Sequence, residues 1–488
     1  MANNVQIGVP VLSGSNLSFS ISWENSWYIS TGPANWDAVW IFVKYQDCAD
    51  NLWQHAGLST TGSDHSVTTT TVQVDVVSDG KGVYIRRSGY GQGTIATATL
   101  TVKLTSGASA SNNYQVFGIE MVQIPQGDFY VGDGTGGSLG YGFGDATYAP
   151  VLITNNIQNV TGITAAALGP PASTGLPSQA LPITFPMGWN SFYCMKYEIS
   201  QEQYMRFLNS LSYDQQVYRS AASPNSSAGT QALSGGTVSR NGVKIQISGT
   251  PNNIPAIYMC DLNGNGTANE STDGQNVACN WLKFSDILAY LDWAALRPMT
   301  ELEFEKVCRG SLSPVAYELA WGSATILQTT SSSLNNSGAN NETSTISGVG
   351  LCAYNAASTS NGPLRCGFAA TATTNRSQSG GSYYGVMDMT GNVVEMALNV
   401  NGGNLCCGHC AAGVAPAFTN ATGDGTLTWF GDANSPLWST NSTCWMPRGG
   451  DWYDSSVLPP QTSDRINANE DNYTFNIRTL TSGGRGVR

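Results

Sequence analysis

The first hundred residues carry short runs in which apolar and polar side chains alternate. In "LSFSISW" (17–23) every second residue is apolar, which places one face of a predicted strand in a core. The run "AVWIFVKY" (38–45) is continuously apolar and typical of a buried strand, and turn residues such as "SDGKG" (78–82) separate such runs. The other predicted strands are "VQVDV" (72–76), "GVYIRR" (82–87) and "LTVKL" (100–104). Short strands joined by turns predict an immunoglobulin-like β-sandwich over residues 1–105.

The pattern changes at "TSGASASNN" (105–113), a stretch of small residues that predicts a linker over 106–114. Beyond it, apolar residues recur at helical spacing in three places, which are 199–211, 284–296 and 300–310. Ser200 with Gln203, and Thr300 with Glu303, form predicted capping boxes at two of the helix starts. Most of the remaining chain is rich in Gly, Ser, Thr and Asn. We therefore predict a multidomain protein, with an α+β domain of much irregular structure over 115–488.

Composition narrows the classes of function. Only 11% of the 488 residues are charged and the net charge is -12, which disfavours nucleic-acid phosphates as partners and favours cations. The chain has no apolar run of 18 residues, so we predict no membrane insertion. The start "MANNVQIGVPVLSG" lacks the basic and apolar regions of a signal peptide. Because polarity without charge is common in secreted and virion proteins, we expect an extracellular or cell-surface location, with a virion component as the alternative.

Six motifs occur in a fixed order beyond residue 115. They are "GIEMVQIPQGDFYVGDG" (118–134), "FYCMKYEISQEQYMRFLN" (192–209), "RPMTELEFEKVCRG" (297–310), "YYGVMDMTGNVVEM" (383–396), "RGGDWYD" (448–454) and "GGRGVR" (483–488). Together they resemble the formylglycine-generating enzyme, or sulfatase-modifying factor, family. The resemblance covers residues 115–488 and implies a variant of the C-type lectin fold, while the activity depends on particular residues.

The catalytic residues that the resemblance implies are missing from their places. The family enzyme oxidises a sulfatase cysteine with copper held by two thiolates that follow an "RGG-W" motif, and 453–488 contains no cysteine. A second branch of the superfamily holds iron with three histidines, and two of the three here, His55 and His65, lie in the N-terminal domain. We therefore predict a non-enzyme. The alternative is an active copper- or iron-dependent oxidase whose ligands are Cys406, Cys407 and Cys410.

The "LCCGHCAAG" stretch (405–413) allows two further interpretations. Its three cysteines and His409 are zinc-ligand types, but structural zinc sites draw their ligands from two separated pairs. A disulfide-linked loop is the interpretation we prefer.

The resemblance also implies a calcium site in "DMTGNVVE" (388–395). The matching ligands are the side chain of Asp388, the backbone carbonyls of Gly391 and Val393, and the carboxylate of Glu395. Hard oxygen donors with a Gly at the turn suit calcium. The alternative is a carboxylate that caps a turn.

A second calcium loop is predicted in "CDLNGNGTANESTDGQNVAC" (260–279), which resembles the first half of an EF-hand or dockerin-type loop. The donors would be the side chains of Asp261, Asn263 and Asn265 and the carbonyl of Thr267, with Gly266 at the sharp turn. The twelfth position, Thr272, breaks the pattern, and Asp273 or Glu270 would replace it. With one firm carboxylate we expect weak affinity, about 10⁻⁴ to 10⁻³ M. An Asx-rich turn is the alternative, and Cys260 and Cys279 are candidates for a disulfide that closes the loop.

The segment after "RGGD" is predicted to display ligand-binding residues, because members of this fold superfamily use it in that way. Polar and aromatic side chains there combine hydrogen bonding with rigid surface. The candidates are Trp452, Tyr453, Asp454, Arg465, Asn467, Asn469, Asn472 and Tyr473. We expect a protein or glycan ligand, or copies of the chain itself in a homo-oligomer, fibre or sheath. The whole prediction is a non-enzymatic structural or binding protein with calcium as its cofactor.

Overall fold

The structure is a computed structural model that describes residues 4–49, 51–135, 142–145, 147–154, 185–356, 358–398, 400, 418, 421–435, 438, 445–453, 460–465 and 477–488.

The N-terminal region consists of two antiparallel sheets. The first contains β1 (Gln6–Ile7), β2 (Val11–Ser13), β3 (Asn16–Tyr28), β6 (Ser66–Val67) and β9 (Gly91–Lys103). The second contains β4 (Asp37–Gln46), β5 (Trp53–His55), β7 (Val72–Val76), β8 (Val83–Arg87), β10 (Asn113–Ile124) and β13 (Phe192–Met195). Its strand order is β13-β10-β4-β8-β7, and β5 also pairs with β4. This all-β region is consistent with the predicted sandwich.

The apolar alternation of β3 faces the space between the two sheets. Leu17, Phe19, Ile21 and Trp23 are buried and share one apolar cluster with alternate residues of β4, among them Ile41. The predicted core face of "LSFSISW" is therefore confirmed.

The strand β10 crosses the predicted domain limit. It pairs with β4 from Asn113 opposite Gln46 to Val122 opposite Asp37, and its last four residues pair with β13. Two residues of the predicted linker, Asn113 and Tyr114, are thus strand residues, because continuous pairing with β4 supplies their backbone partners. Pairing across residue 115 joins the two predicted domains in one sheet.

Five helices lie in the described ranges. They are α1 (Gln201–Leu208), α2 (Tyr213–Arg219), α3 (Phe284–Trp293), α4 (Glu301–Arg309) and α5 (Arg376–Ser379). Both predicted capping boxes are present, at Ser200 with Gln203 and at Thr300 with Glu303. We did not predict α2, which Ser212 and Gln215 start in the same way. None of these helices combines the length and apolarity that a bilayer crossing requires.

Short strand pairs make up the other regular elements. They are β11 (Phe129–Val131) with β12 (Val151–Ile153), β14 (Val243–Ile247) with β15 (Ile257–Cys260), β16 (Leu327–Thr329) with β19 (Leu351–Ala353), β17 (Leu334–Asn335) with β18 (Thr343–Ser344), and β20 (Glu395–Leu398) with β21 (Trp445–Arg448). The remaining described chain is irregular, as the Gly- and Asn-rich sequence predicts.

The outer face of the second sheet packs on α3. Phe42 and Phe117 contact Trp293 edge-on, with ring centroids 5.1 and 4.8 Å apart. The indole Nε1 of Trp40 donates to the carbonyl of Ala294 at 2.9 Å. One sheet therefore serves both the sandwich core and the core of the following domain.

The last residues of the chain extend the second sheet at its edge strand, β13. The backbone amides of Tyr193 and Met195 donate to the carbonyls of Arg488 and Gly486 at 2.8 and 2.9 Å. Arg297 and Val487 exchange two further backbone hydrogen bonds. The "GGRGVR" motif is therefore a structural segment at the centre of the domain.

A buried ion network surrounds α4. Its members are Glu301, Glu305, Glu318, Arg309, Arg448 and Arg465. Glu301 accepts from Arg465 Nε at 2.7 Å and lies 3.3 Å from Arg448 Nη1. Glu305 lies 3.0 Å from Arg309 and 3.2 Å from Arg448. Three carboxylates thus balance three guanidinium groups, as a buried network requires.

Candidate functional site

The predicted calcium segment forms a tight turn that ends in β20. Asp388 and Asn392 have left-handed backbone angles, with φ of 58° and 67°, and Gly391 has a φ of 78°. The amide of Gly391 donates to the carbonyl of Gly449 at 2.8 Å, which ties the turn to the "RGGD" motif. These backbone angles bring a buried Asp388 and a buried Glu395 to the two ends of one turn.

The two carboxylates have different partners. Asp388 Oδ2 accepts from the backbone amide of Gly367. Glu395 Oε1 accepts from the Nη2 and Nε atoms of Arg485 at 2.6 and 2.8 Å. Glu395 Oε2 is buried, and it has no hydrogen-bond partner within the described chain. A Cβ atom on Gly449 would lie 2.7 Å from that oxygen, so only a glycine allows the backbone to approach it.

A third carboxylate, Glu198, stabilises the turn by accepting hydrogen bonds from it. Its oxygens accept from the backbone amide of Val393 at 2.9 Å and from the side-chain amide of Asn392 at 2.5 Å. We did not predict this residue, although it lies within the quoted motif 192–209. Its position between a strand and a capping box was the available indication in the sequence that the fold holds this side chain in place.

Burial perturbs the pKa values of all three carboxyl groups, and repulsion by neighbouring carboxylates adds to the shifts of Glu198 and Glu395. The pKa of Glu198 is raised well above its ordinary value, first by burial and then by the charges of Asp388 and Glu395. Burial likewise raises the pKa of Asp388 and brings that of Glu395 to about 7, although Arg485 lowers both. Arg365 adds a second positive charge near Asp388. Raised pKa values favour protonated carboxyl groups, so a bound cation would have to replace protons to hold all three in their ionised form.

The residues present fit a calcium ion in part. Asp388 and Glu395 supply carboxylate oxygens, one of them without a partner, and no described residue donates a hydrogen bond to the carbonyls of Gly391 or Val393. These are the four predicted ligands, and all are hard oxygen donors. Among the described residues no group of three or more Asp, Glu, His or Cys side chains has the arrangement of a metal site. A cation here would therefore depend on backbone oxygens as well.

The second predicted loop follows β15. Asp261 is buried and forms an ion pair with Lys244 at 2.9 Å, whereas Asn263, Asn265 and Thr267 are exposed. The Oδ1 atoms of both asparagines accept backbone amides two residues further on, at 3.0 and 2.7 Å. These are Asx-type turns, as both interpretations of the sequence require.

The disulfide predicted to close this loop is not formed in the structure. Cys260 and Cys279 are both free, buried thiols. Backbone hydrogen bonds fix the two ends instead, since the amide of Asp261 donates to Gly242 and that of Cys279 to Ile199, both at 2.8 Å.

Two of the predicted ligand-binding residues after "RGGD" are buried, which corrects the prediction at those positions. Trp452 is only 1% exposed and packs among Leu351, Leu364 and Phe368. Arg465 is also 1% exposed, because it pairs with Glu301. Tyr453 is 39% exposed and is the one described candidate at the surface. The other candidates, Asp454, Asn467, Asn469, Asn472 and Tyr473, lie outside the described residues, as do Cys406, Cys407, His409 and Cys410.

Comparison with known proteins supports the family resemblance. A family model for the sulfatase-modifying factor enzyme 1-like domain matches residues 110–471, which is more than half of the chain. No curated protein matches the chain.

Proposed function

Because the chain belongs to the sulfatase-modifying factor enzyme 1-like family, we propose that it is a non-enzymatic member that displays a calcium-stabilised, C-type lectin-like domain on a β-sandwich. It acts as a binding or structural protein outside the cell or on a virion. Its partner is a protein or glycan ligand, or further copies of itself.

The state of the cysteines is the observation that carries this proposal. Copper chemistry of the family type requires two thiolates after the "RGG-W" motif, and 453–488 contains no cysteine. Burial raises the pKa of the Cys194 thiol to about 12. The pKa values of Cys260, Cys279, Cys308, Cys352 and Cys366 are raised for the same reason. Each of these thiols is therefore held in its neutral form, which is a poor ligand and a poor nucleophile.

The segment after "RGGD" supplies structural contacts where the family enzyme has its thiolates. Arg485 pairs with Glu395, Arg465 pairs with Glu301, and the Nη2 atom of Arg488 lies 2.6 Å from Asp79. The last of these contacts joins the C-terminus to the turn between β7 and β8 of the N-terminal region. Such contacts support a scaffold role for this segment.

Calcium would be held by Asp388, Glu395 and the carbonyls of Gly391 and Val393. When bound, it would replace protons on these buried carboxyl groups and stabilise the turn that leads into β20, which the Gly391 amide ties to Gly449 of "RGGD". The left-handed turn, the unpartnered Glu395 oxygen and the bracing by Glu198 favour this role.

The experiment that tests the proposal is an oxidation assay with a cysteine-containing sulfatase peptide, copper and oxygen, read by mass spectrometry. We expect no formylglycine product, and an active family enzyme serves as the positive control. Copper-dependent product formation would overturn the proposal. The variant in which Cys406, Cys407 and Cys410 are all serine would then show whether those thiols hold the copper.

A further inference from the structure

A polar loop lies between β15 and residue 277, apart from the Asp388–Glu395 turn. Its backbone is fixed at both ends, because the amide of Leu262 donates to the carbonyl of Asp273 at 3.2 Å and that of Gly274 to Gly338 at 2.9 Å. Gly264 and Gly266 have left-handed φ angles of 77° and 79°. The chain therefore curls back so that the first and thirteenth residues of the loop lie beside each other.

Oxygen-bearing side chains converge inside this curl. Asp261 Oδ1 accepts from the amides of Gly264 and Gly266 at 3.0 and 3.4 Å, which fixes its orientation. The side-chain amides of Asn263 and Asn265 both donate to Glu270 Oε2, at 3.3 and 2.5 Å. Hydrogen bonds thus hold Asp261, the two asparagines and Glu270 together within one loop.

An unpartnered carboxylate oxygen points to a ligand at this place. Asp273 is fully buried, and its Oδ2 accepts from the amide of Glu270 at 2.6 Å. Its Oδ1 atom is buried with no hydrogen-bond partner within the described chain. The Leu262–Asp273 backbone hydrogen bond and the contact of Asp273 with the Glu270 amide place Asp261, Glu270 and Asp273 near one another. An oxygen buried in this way among like charges is costly unless a cation neutralises it.

Lys244 supplies the positive charge that the structure shows. It lies on β14, and its Nζ is 2.9 Å from Asp261 Oδ2. One ammonium group, paired with Asp261, thus accompanies the three carboxylates of Asp261, Glu270 and Asp273, so the loop keeps an excess of negative charge.

We propose that residues 261–273 bind a divalent calcium ion through Asp261, Asn263, Asn265, the Thr267 carbonyl and Asp273, and that the Lys244 ammonium competes with the ion for Asp261. The position that would normally carry the closing carboxylate is Thr272, and Asp273 takes its role one residue later. Competition by Lys244 makes the site weak, and removing that charge tightens it. The site does not depend on the proposed function or on the Asp388–Glu395 turn.

The test is calcium binding to the intact protein, measured by equilibrium dialysis with radioactive calcium. We expect a weak site, at about 10⁻⁴ to 10⁻³ M, that Asp273→Asn abolishes and Glu395→Gln leaves unchanged. Lys244→Met should tighten it by about fivefold or more, because a unit charge near a divalent ion in water costs at least about 1 kcal/mol. Asn265→Ala, at an exposed side chain, provides a second variant that should weaken binding without disturbing the fold.

Two results would overturn the inference. The first is loss of calcium binding in Glu395→Gln alone, with Asp273→Asn and Asn265→Ala unaffected, which would leave the loop as an Asx-rich turn. The second is unchanged affinity in Lys244→Met. Neither result concerns oxidase activity, so failure here is distinguishable from failure of the proposed function.

Discussion

Replacing Glu305 with Gln tests the buried ion network around α4. Glu305 is fully buried, and its Oε2 accepts from Arg309 Nη1 and Ser463 Oγ at 3.0 Å and from the amide of Gly132 at 2.8 Å. Its Oε1 accepts from Arg448 Nη2 at 3.2 Å. A glutamine keeps the shape of the side chain, but it removes one negative charge and aims an N–H group at a neighbouring donor.

The expected loss of stability follows from the charge balance of the network. The variant leaves three buried guanidinium groups facing two carboxylates, and removing one partner of a buried pair typically costs about 3–5 kcal/mol. That is a large share of the free energy of unfolding of an ordinary domain, about 5–15 kcal/mol. We therefore expect Glu305→Gln to lower the free energy of unfolding by about 3–5 kcal/mol.

The assay is urea unfolding followed by the fluorescence of the chain's 13 tryptophans, with circular dichroism as a second probe. Asp75→Asn is the matched control, because Asp75 pairs with Arg86 at 2.6 Å with a third of its side chain accessible, and it should cost at most about 1 kcal/mol. Adding Arg448→Gln to Glu305→Gln restores charge balance, so the double variant should lose less than the sum of the single variants. A loss below about 1 kcal/mol for Glu305→Gln would refute the reasoning.

Three further predictions concern separate parts of the molecule. Burial raises the pKa of Asp292 to about 6 although the amides of Asn434 and Asp424 donate to it, so the folded protein holds a proton that the unfolded chain releases near pH 4. The free energy of unfolding should then fall as the pH rises from about 4 to 6, and Asp292→Asn should lack this slope; equal slopes in urea titrations would contradict the assignment. Gly310→Ala should destabilise by more than about 1–2 kcal/mol, because φ is 68° and a Cβ would lie 2.0 Å from the Tyr383 ring, whereas Gly236→Ala, in open space, should be neutral. If the chain assembles with itself, light scattering after size exclusion should give a mass above 51.6 kDa, and a discrete monomer would remove that partner.

Local sequence signals predicted the elements with strong patterns. The alternation of β3 placed Trp23 in the core, and the capping boxes at Ser200 and Thr300 placed the starts of α1 and α4. These signals act within a few residues, so a single sequence contains them. The short α2 was missed although Ser212 and Gln215 give the same signal, because its apolar stripe is weak.

Features that depend on contacts between distant segments were not predictable in this way. The burial of Trp452 and Arg465 follows from contacts with residues more than eighty positions earlier in the chain. The bracing of Val393 by Glu198 spans 195 residues, and the pairing of β10 with β4 continues a sheet through a predicted linker. The family resemblance placed calcium ligands between Asp388 and Glu395, and the likeness to an EF-hand or dockerin-type loop placed them between Asp261 and Asp273. The unpartnered oxygens of Glu395 and Asp273 appear only once the chain is folded.

The metal content per chain of the protein purified without chelator, with calcium, copper, iron and zinc counted together, distinguishes a calcium-stabilised scaffold from an oxidase. We predict one or two calcium ions per chain and no stoichiometric transition metal, with Glu395→Gln losing one calcium. Stoichiometric copper or iron, lost when Cys406, Cys407 and Cys410 are replaced by serine, would contradict it and establish an oxidase-type centre.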